Sequence, residues 1–379
     1  TSINSFSFEN CQSLKKITIP DSVKSISDCS FIKCISLEEI TMPSFLESVG
    51  NRVFSRCRSL KQISFPSTIV KFGYGVFEYC SSLIEVTIPT SVKHIDAFCF
   101  NKCNSLQVLN IPFAIESITF NSIDSSNLLK EITVPSSINI INSLNLINFT
   151  SLEHIKITEG STEIPDNSFA NLKSLKKGTL AYTVTKIGKN SFANCSSMTQ
   201  ITNLKSVNYI DSGSFLNCTS LEKVSFENDM IHIGAEAFAN CKMLEEISGN
   251  LKMDKIEEKT FENCSSLKKI ELPSTITEIE ASSFRNCSNL VEIVIPPSVK
   301  QIASQAFSGC SQLKKIDIKS SLIAIISSQL FMNCKSLTEI TLPSSITEIQ
   351  DKSFAHCTSL KKVVFSSTLK KIGKEAFLE

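Results

Sequence analysis

Cysteine is the residue in this chain best equipped for chemistry, and its spacing is regular. Cys11, Cys34, Cys57, Cys80 and Cys103 lie 23 residues apart, as do Cys195, Cys218, Cys241, Cys264, Cys287 and Cys310. Cys334 and Cys357 resume the series after a one-residue insertion near Ile325 and Ile326. Such a column invites three readings. A metal site needs three or four ligands that converge, yet no C-x-x-C pair occurs and His94, His154, His232 and His356 fall in different positions of the 23-residue frame. A disulfide needs Cβ atoms about 3.5 to 4.5 Å apart, whereas parallel side chains on stacked strands stay about 4.8 Å apart. Cys29 and Cys99 lie off the column, about three repeats from each other, on the order of 14 Å and too far to bridge. A nucleophile needs a base beside it, and no nucleophile elbow, Gly-rich phosphate loop or convergent carboxylate pair can be placed. The column therefore predicts reduced, buried thiols packed as small hydrophobes, with no metal, no cofactor and no enzyme activity.

The elements that would hold this column follow from its neighbours. In the first unit the apolar series is Phe8, Cys11, Leu14, Ile17, Ile19, Val23 and Ile26, with Pro20 directly after Ile19. Three-residue steps from Phe8 to Leu14 predict a turn or two of α- or 3₁₀-helix. The two-residue step from Ile17 to Ile19 predicts a short strand, which Pro20 ends because it has no N–H for the ladder. One coil of this size cannot bury its own apolar edge, so coils must stack and supply each other's interior. The fold class expected is an α/β solenoid, with a parallel β-sheet on one face and short helical or 3₁₀ turns on the other.

Ser126, Phe149 and Leu172 fill the cysteine slot between the two cysteine runs, which gives sixteen units over one domain, residues 1–379. Fifteen of the 25 phenylalanines fall in one column. Both ends cut through a unit, at Ile3 and Phe377, so the apolar column left open at Phe8 and Phe377 predicts end-to-end self-association. The stretch of about 120–256 is irregular: Thr158, Ala181, Leu204, Glu227 and Asn250 replace the proline, and Gly178, Asn203 and Gly249 take inward strand positions. Poorer packing and longer strands are expected there.

Net charge is +1, which gives nucleic acid or an anionic membrane no field to follow. No apolar stretch approaches the ~18 residues of a membrane span, and residues 1–19 lack the order of a signal peptide. The outward strand positions are ladders. One reads Lys223, Glu246, Lys269, Glu292, Lys315, Glu339, Lys362, and another Thr18, Thr41, Ser64, Thr87, Asn110, Thr133. Alternating charge one strand apart should attract, so these rows read as self-satisfied surface. Departures from them mark candidate partner-binding residues: Ile84, Val108, Phe113, His154, Lys156, Val291, Val294 and Val364. Asn194, Asn217, Asn263 and Asn286 form N-C-[ST] and Asn148 forms N-F-T, candidate glycan acceptors in a secretory setting. Their position beside a tight turn also suits a stacked amide ladder.

The pattern F-x-x-C-x-x-L-x-x-I-x-I-P-x-x-V-x-x-I resembles the BspA-like leucine-rich repeats of surface proteins in parasitic protists and in oral and treponemal bacteria. The units Phe261 to Ile279, Phe284 to Ile302 and Phe354 to Ile372 carry it most fully, although Ser366 stands where the pattern has proline. The resemblance implies a right-handed arc with the sheet concave, a cell-surface or secreted location, and adhesion to a protein or glycan partner on the concave face. A different reading, an intracellular structural or assembly scaffold, is favoured by unpaired cysteines, which are unusual in oxidising compartments.

Overall fold

The computed structural model describes residues 1–119, 128–137, 141, 146 and 149–379. The chain forms two compact units, Thr1–Thr162 with Lys177–Thr183, and Glu163–Lys176 with Val184–Glu379. Ser126 and Asn148 lie outside the described residues.

Each unit is a parallel-strand solenoid in which a residue pairs with its equivalent one coil on. Ile17 stands opposite Ile40 in the pair Lys16–Thr18 and Glu39–Thr41. Leu109 stands opposite Ile132, and Ile132 opposite Ile155, through Val108–Asn110, Glu131–Val134 and His154–Ile157. In three-residue strands such as Glu39–Thr41 and Glu85–Thr87 the middle residue is apolar and buried while its flanks face out, which fixes the register because a one-residue slip would expose the column.

Two features differ from the sequence expectation. The first is a second strand, two residues long, that recurs through the described coils around the apolar residue that closes the unit. In the N-terminal unit Ser25–Ile26, Ser48–Val49, Lys71–Phe72, His94–Ile95 and Ser117–Ile118 form one parallel ladder. In the C-terminal unit Glu163–Ile164, Lys186–Ile187, Tyr209–Ile210 and His232–Ile233 do the same.

The second is that the expected helical or 3₁₀ turns are absent from the Phe to Leu stretches, and among the described residues only Ile141 and Leu146 are helical. The Phe to Leu stretch is instead a chain of β-turns. Cys34 donates its N–H to the Phe31 carbonyl and Leu37 to that of Cys34, while Cys29 and Lys33 take positive φ of 58° and 62°. A helix cannot run through left-handed residues. The N–H groups it would have used internally go to the next coil, from Cys29 to Asn51, Phe31 to Val53 and Lys33 to Ser55 at 2.9 to 3.0 Å. Backbone satisfaction between coils makes a helix unnecessary.

The core is the set of columns the spacing implied. Phe31, Phe54, Phe77 and Phe100 stack at 5.5 to 6.0 Å between ring centroids, and Phe192, Phe215, Phe238 and Phe261 at 5.3 to 5.9 Å. The irregular stretch is accommodated differently from expectation. Asn203 and Gly249 adopt positive φ, 65° and 130°, and bulge outward, so that Leu204 and Leu251 enter the core in their place. At Gly249 an added Cβ would lie 2.5 Å from the Phe226 carbonyl oxygen, so this backbone requires glycine. Strand length does not follow the proline consistently, since His154–Ile157 before Thr158 and Lys315–Ile318 before Lys319 have four residues. Glu292–Ile295 runs four residues into Pro296, while Lys177–Thr179, Lys223–Ser225 and Glu246–Ser248 have three.

Candidate binding surface

The thiols come first, because their chemistry is closed off. All fifteen cysteines are free, with Cys11 exposed, Cys29 half-buried and the other thirteen buried. Their Sγ–H groups have a job that spacing did not reveal. The twelve column cysteines from Cys34 to Cys357 donate to the carbonyl of the phenylalanine in the preceding coil, as from Cys57 to Phe31 at 3.2 Å, Cys218 to Phe192 at 3.1 Å and Cys334 to Phe307 at 3.3 Å. Burial pushes the thiols of Cys103, Cys195 and Cys310 up to about 12, so they stay protonated and unreactive at neutral pH. Among the described residues no three His, Cys, Asp or Glu side chains converge as a metal site would require.

The outward faces of the longer strands are the recessed surface of each unit. In the N-terminal unit a hollow of about 560 Å³ lies over Lys16, Glu39, Thr41, Gln62, Ser64 and Glu85, with Lys16 and Glu39 ion-paired at 2.7 Å. In the C-terminal unit one hollow of about 410 Å³ lies over Glu246, Gly249, Lys268 and Glu271. Another, of about 460 Å³, is bordered by Lys269, Leu272, Glu292, Val294, Pro296 and Lys319.

The alternating row has the expected register: Lys223 faces Glu246, Glu246 faces Lys269, Glu292 faces Lys315 and Glu339 faces Lys362. Among the described residues no ion pair within 4.0 Å joins two members of that row. Lys269 turns to Glu271 at 2.7 Å, and this hydrogen bond, with the attraction between the charges, raises the ammonium and lowers the carboxylate from their usual ranges.

The eight residues singled out from the sequence do not gather into one cluster. Val294 lines the hollow with Leu272, Pro296 and Pro297. Val291 and Val364 are exposed, and Val364 stands opposite Thr341. In the N-terminal unit Ile84 is exposed and Val108 half-buried, between Glu85 and Glu131 in register. Phe113 is 52% exposed, but its ring lies over Gly160, where an added Cβ would approach it to 3.1 Å. His154 is half-buried between Glu131 and Lys177, and Lys156 is exposed between Thr133 and Thr179. Leu272, Pro297 and Lys319 escaped the sequence reading. The Pro296-Pro297 pair was the available signal, since it holds chain beside the strand end in one conformation.

The sequons sit on the turn edge. Asn194, Asn217, Asn263 and Asn286 all have positive φ, and with Asn171 and Asn240 they form a continuous amide ladder. Nδ2 of each donates to Oδ1 of the asparagine one coil back, at 2.7 to 2.9 Å. The nitrogen a glycan would need is thus the donor in the ladder.

Stacked parallel coils with a continuous Phe, Cys, Leu and Ile interior and a recessed sheet face define a leucine-rich-repeat-like solenoid. The chain belongs to the BspA-type family: the model for the BspA type leucine rich repeat region, six copies long, matches residues 1–130, 116–245 and 254–379. No curated protein matches the sequence. Among solved structures, a leucine-rich repeat protein from Bacteroides ovatus aligns over 92% of this chain and 92% of its own at 23% identity, with a TM-score of 0.54, which supports the fold. A leucine rich cell surface protein from Faecalibacterium prausnitzii covers 97% and 83% at 20% identity and a TM-score of 0.31. The pneumococcal vaccine antigen PcpA covers 96% and 84% at 18% identity and a TM-score of 0.35. Among the described residues no helix is long and apolar enough to cross a membrane.

Proposed function

We propose that this chain is a non-catalytic scaffold, displayed at the cell surface or secreted, that binds a protein or glycan partner across the outward faces of its longer strands. The observation that carries the reading is one row of charge on that face in the C-terminal unit whose members do not pair with each other, although Lys16 with Glu39 and Lys268 with Glu245 do pair between coils nearby. The short-strand and turn sides close ion pairs between successive coils: Lys24 with Glu47 at 2.9 Å, Lys371 with Glu348 at 2.8 Å, Arg285 with Glu262 at 3.4 Å and Lys352 with Glu375 at 3.3 Å. On the sheet face of the C-terminal unit the row from Lys223 to Lys362 has the register to do the same and leaves its members apart. A partner that supplies counter-charges gains there what it would not gain on a surface already paired. Val294 with Leu272 and Pro297 adds an apolar anchor beside the charges.

The test is binding of the intact chain to arrays of extracellular-matrix proteins and glycans, repeated with Glu292→Lys, Lys315→Glu and Val294→Asp. Loss of at least about tenfold in affinity for these variants, with no loss for Lys24→Glu on the short-strand side, is the expected result. Binding that ignores all three sheet-face changes would remove the reading. Location is tested separately, by protease shaving of intact source cells. An intracellular scaffold draws support from the free thiols, but thirteen of them are buried and so shielded from an oxidising medium.

A further inference from the structure

We propose a second interaction surface, distinct from the sheet face: the turn edge of the N-terminal unit around Arg56 and Arg58, shaped to dock a polypeptide segment that carries isolated carboxylates beside apolar side chains. The composition is the first indication. The chain has four arginines and four tyrosines, and uses lysine almost everywhere else for positive charge. Three of those arginines, Arg52, Arg56 and Arg58, fall in one coil, and Tyr74 and Tyr79 fall in the next. The geometry joins Arg52 and Arg56 to the two tyrosines. The Arg52 guanidinium lies 5.1 Å from the centroid of the Tyr74 ring, Arg56 lies 5.0 Å from that of Tyr79, and Tyr74 continues to Phe98 at 5.4 Å. Arg52, Arg56, Arg58, Tyr74 and Tyr79 are all exposed.

The contrast with the other unit shows that the fold does not require this cluster. Arg56 occupies the slot directly before the cysteine, the slot that holds Asn194, Asn217 and Asn240 in the amide ladder. That slot is left-handed, φ 64° at Arg56. Asparagine tolerates this conformation better than arginine, so placing arginine there costs local stability. Among the described residues neither Arg56 nor Arg58 has a carboxylate within 4.0 Å, whereas Arg52 reaches Glu78 at 3.7 Å. A guanidinium laid on an aromatic face is held flat with its N–H edge free, the arrangement that receives a carboxylate through two parallel hydrogen bonds. Arginine and tyrosine are also, with tryptophan, residues enriched at binding hot spots. Glu78 and Asp28 lie on the same turn side and would repel a dense polyanion, which favours a protein segment with one or two carboxylates over a sulfated glycan or a nucleic acid.

The experiment screens the intact chain against an array of short synthetic peptides, each with two carboxylates flanking an apolar residue. Asparagine and glutamine counterparts and a heparin oligosaccharide serve as controls. Acidic peptides should be retained over their amide counterparts, and Arg56→Gln with Arg58→Gln should weaken the best of them at least about tenfold. The Arg56→Lys variant should recover only part of the affinity, because ammonium lacks the planar fork. The Arg56→Asn variant separates function from fold: it should keep or raise the urea midpoint while losing the peptide. Equal retention of acid and amide peptides, indifference to the arginine changes, or heparin binding that outcompetes every peptide at this edge would each overturn the proposal. So would a fall in the urea midpoint of Arg56→Asn that accounts for the lost binding.

Discussion

At the level of single residues, the cysteine column is better described as a line of hydrogen-bond donors than as small apolar filler. From Cys34 onward each column thiol reaches a phenylalanine carbonyl one coil back and is sealed from solvent. Under native conditions a thiol reagent should therefore modify Cys11 quickly and Cys29 slowly, and find the other thirteen only after denaturation. Rapid native modification of several more would contradict the sealed column. The same burial has a consequence at high pH. Cys310 is raised to about 12 in the folded chain, against about 8.5 for a free thiol, so above the lower value the unfolded state holds fewer protons and gains in relative stability. The stabilising contribution of the protonated thiol is complete below about pH 8.5 and is lost as pH climbs toward 12. Cys310→Ser keeps a donor for the Phe284 carbonyl and removes the titration. Between pH 7.5 and 10.5 the variant should lose about 2 to 3 kcal/mol less than the parent in urea unfolding. Parallel losses in the two proteins would show that the column does not set the alkaline limit.

At the level of elements, the turn edge depends on residues able to adopt positive φ twice per coil. The six-asparagine ladder meets that need and links coils through its side chains as well. Asn240 donates to Asn217 at 2.8 Å and accepts from Asn263 at 2.7 Å. Asn240→Gly suits the backbone but loses both bonds, about 1 to 2 kcal/mol. Asn240→Ala loses them and adds about 1 kcal/mol or more for the left-handed conformation. The urea midpoints should fall in the order parent, glycine variant, alanine variant; an alanine variant as stable as the glycine one would mean that the conformation is not strained. This edge also shows where sequence reading reached its limit. Three-residue steps from Phe to Cys to Leu are common to a 3₁₀ helix and to a chain of β-turns, so periodicity alone could not separate them. The discriminating signal was present in pairs such as Asn167 with Asn171 and Asn190 with Asn194, four residues apart at the two left-handed positions. The second strand was hidden for a related reason, since two paired residues give no alternation to detect. Columns and register were legible because one period repeats through the chain. The pairing of surface charges was not, because Lys269 can choose between Glu246 one coil back and Glu271 two residues on, and only side-chain geometry decides.

At the level of the whole molecule, the consequence of stacking is that stability is local. A coil's interior is completed by the coils on either side, and its backbone bonds run to those same neighbours. A defect should therefore weaken its surroundings and fade with distance, unlike a defect in a single globular core, which lowers every part together. Leu267 is fully buried between the leucines of adjacent coils, Leu244 and Leu290, and Leu267→Ala should cost about 2 to 5 kcal/mol where it acts. Hydrogen exchange followed by mass spectrometry should then show lost protection in the coils from about Cys241 to Leu290. Strands of the N-terminal unit, such as Glu85–Thr87 and Val108–Asn110, should exchange as in the parent. Equal loss in both units would mean that the chain unfolds as one cooperative body. The binding readings would then need different controls, because a change on one face could no longer be assumed to leave a distant face intact. If loss is confined instead, the sheet-face variants around Glu292 and the turn-edge variants at Arg56 can be scored independently in the same chain, each with the other surface as its internal reference.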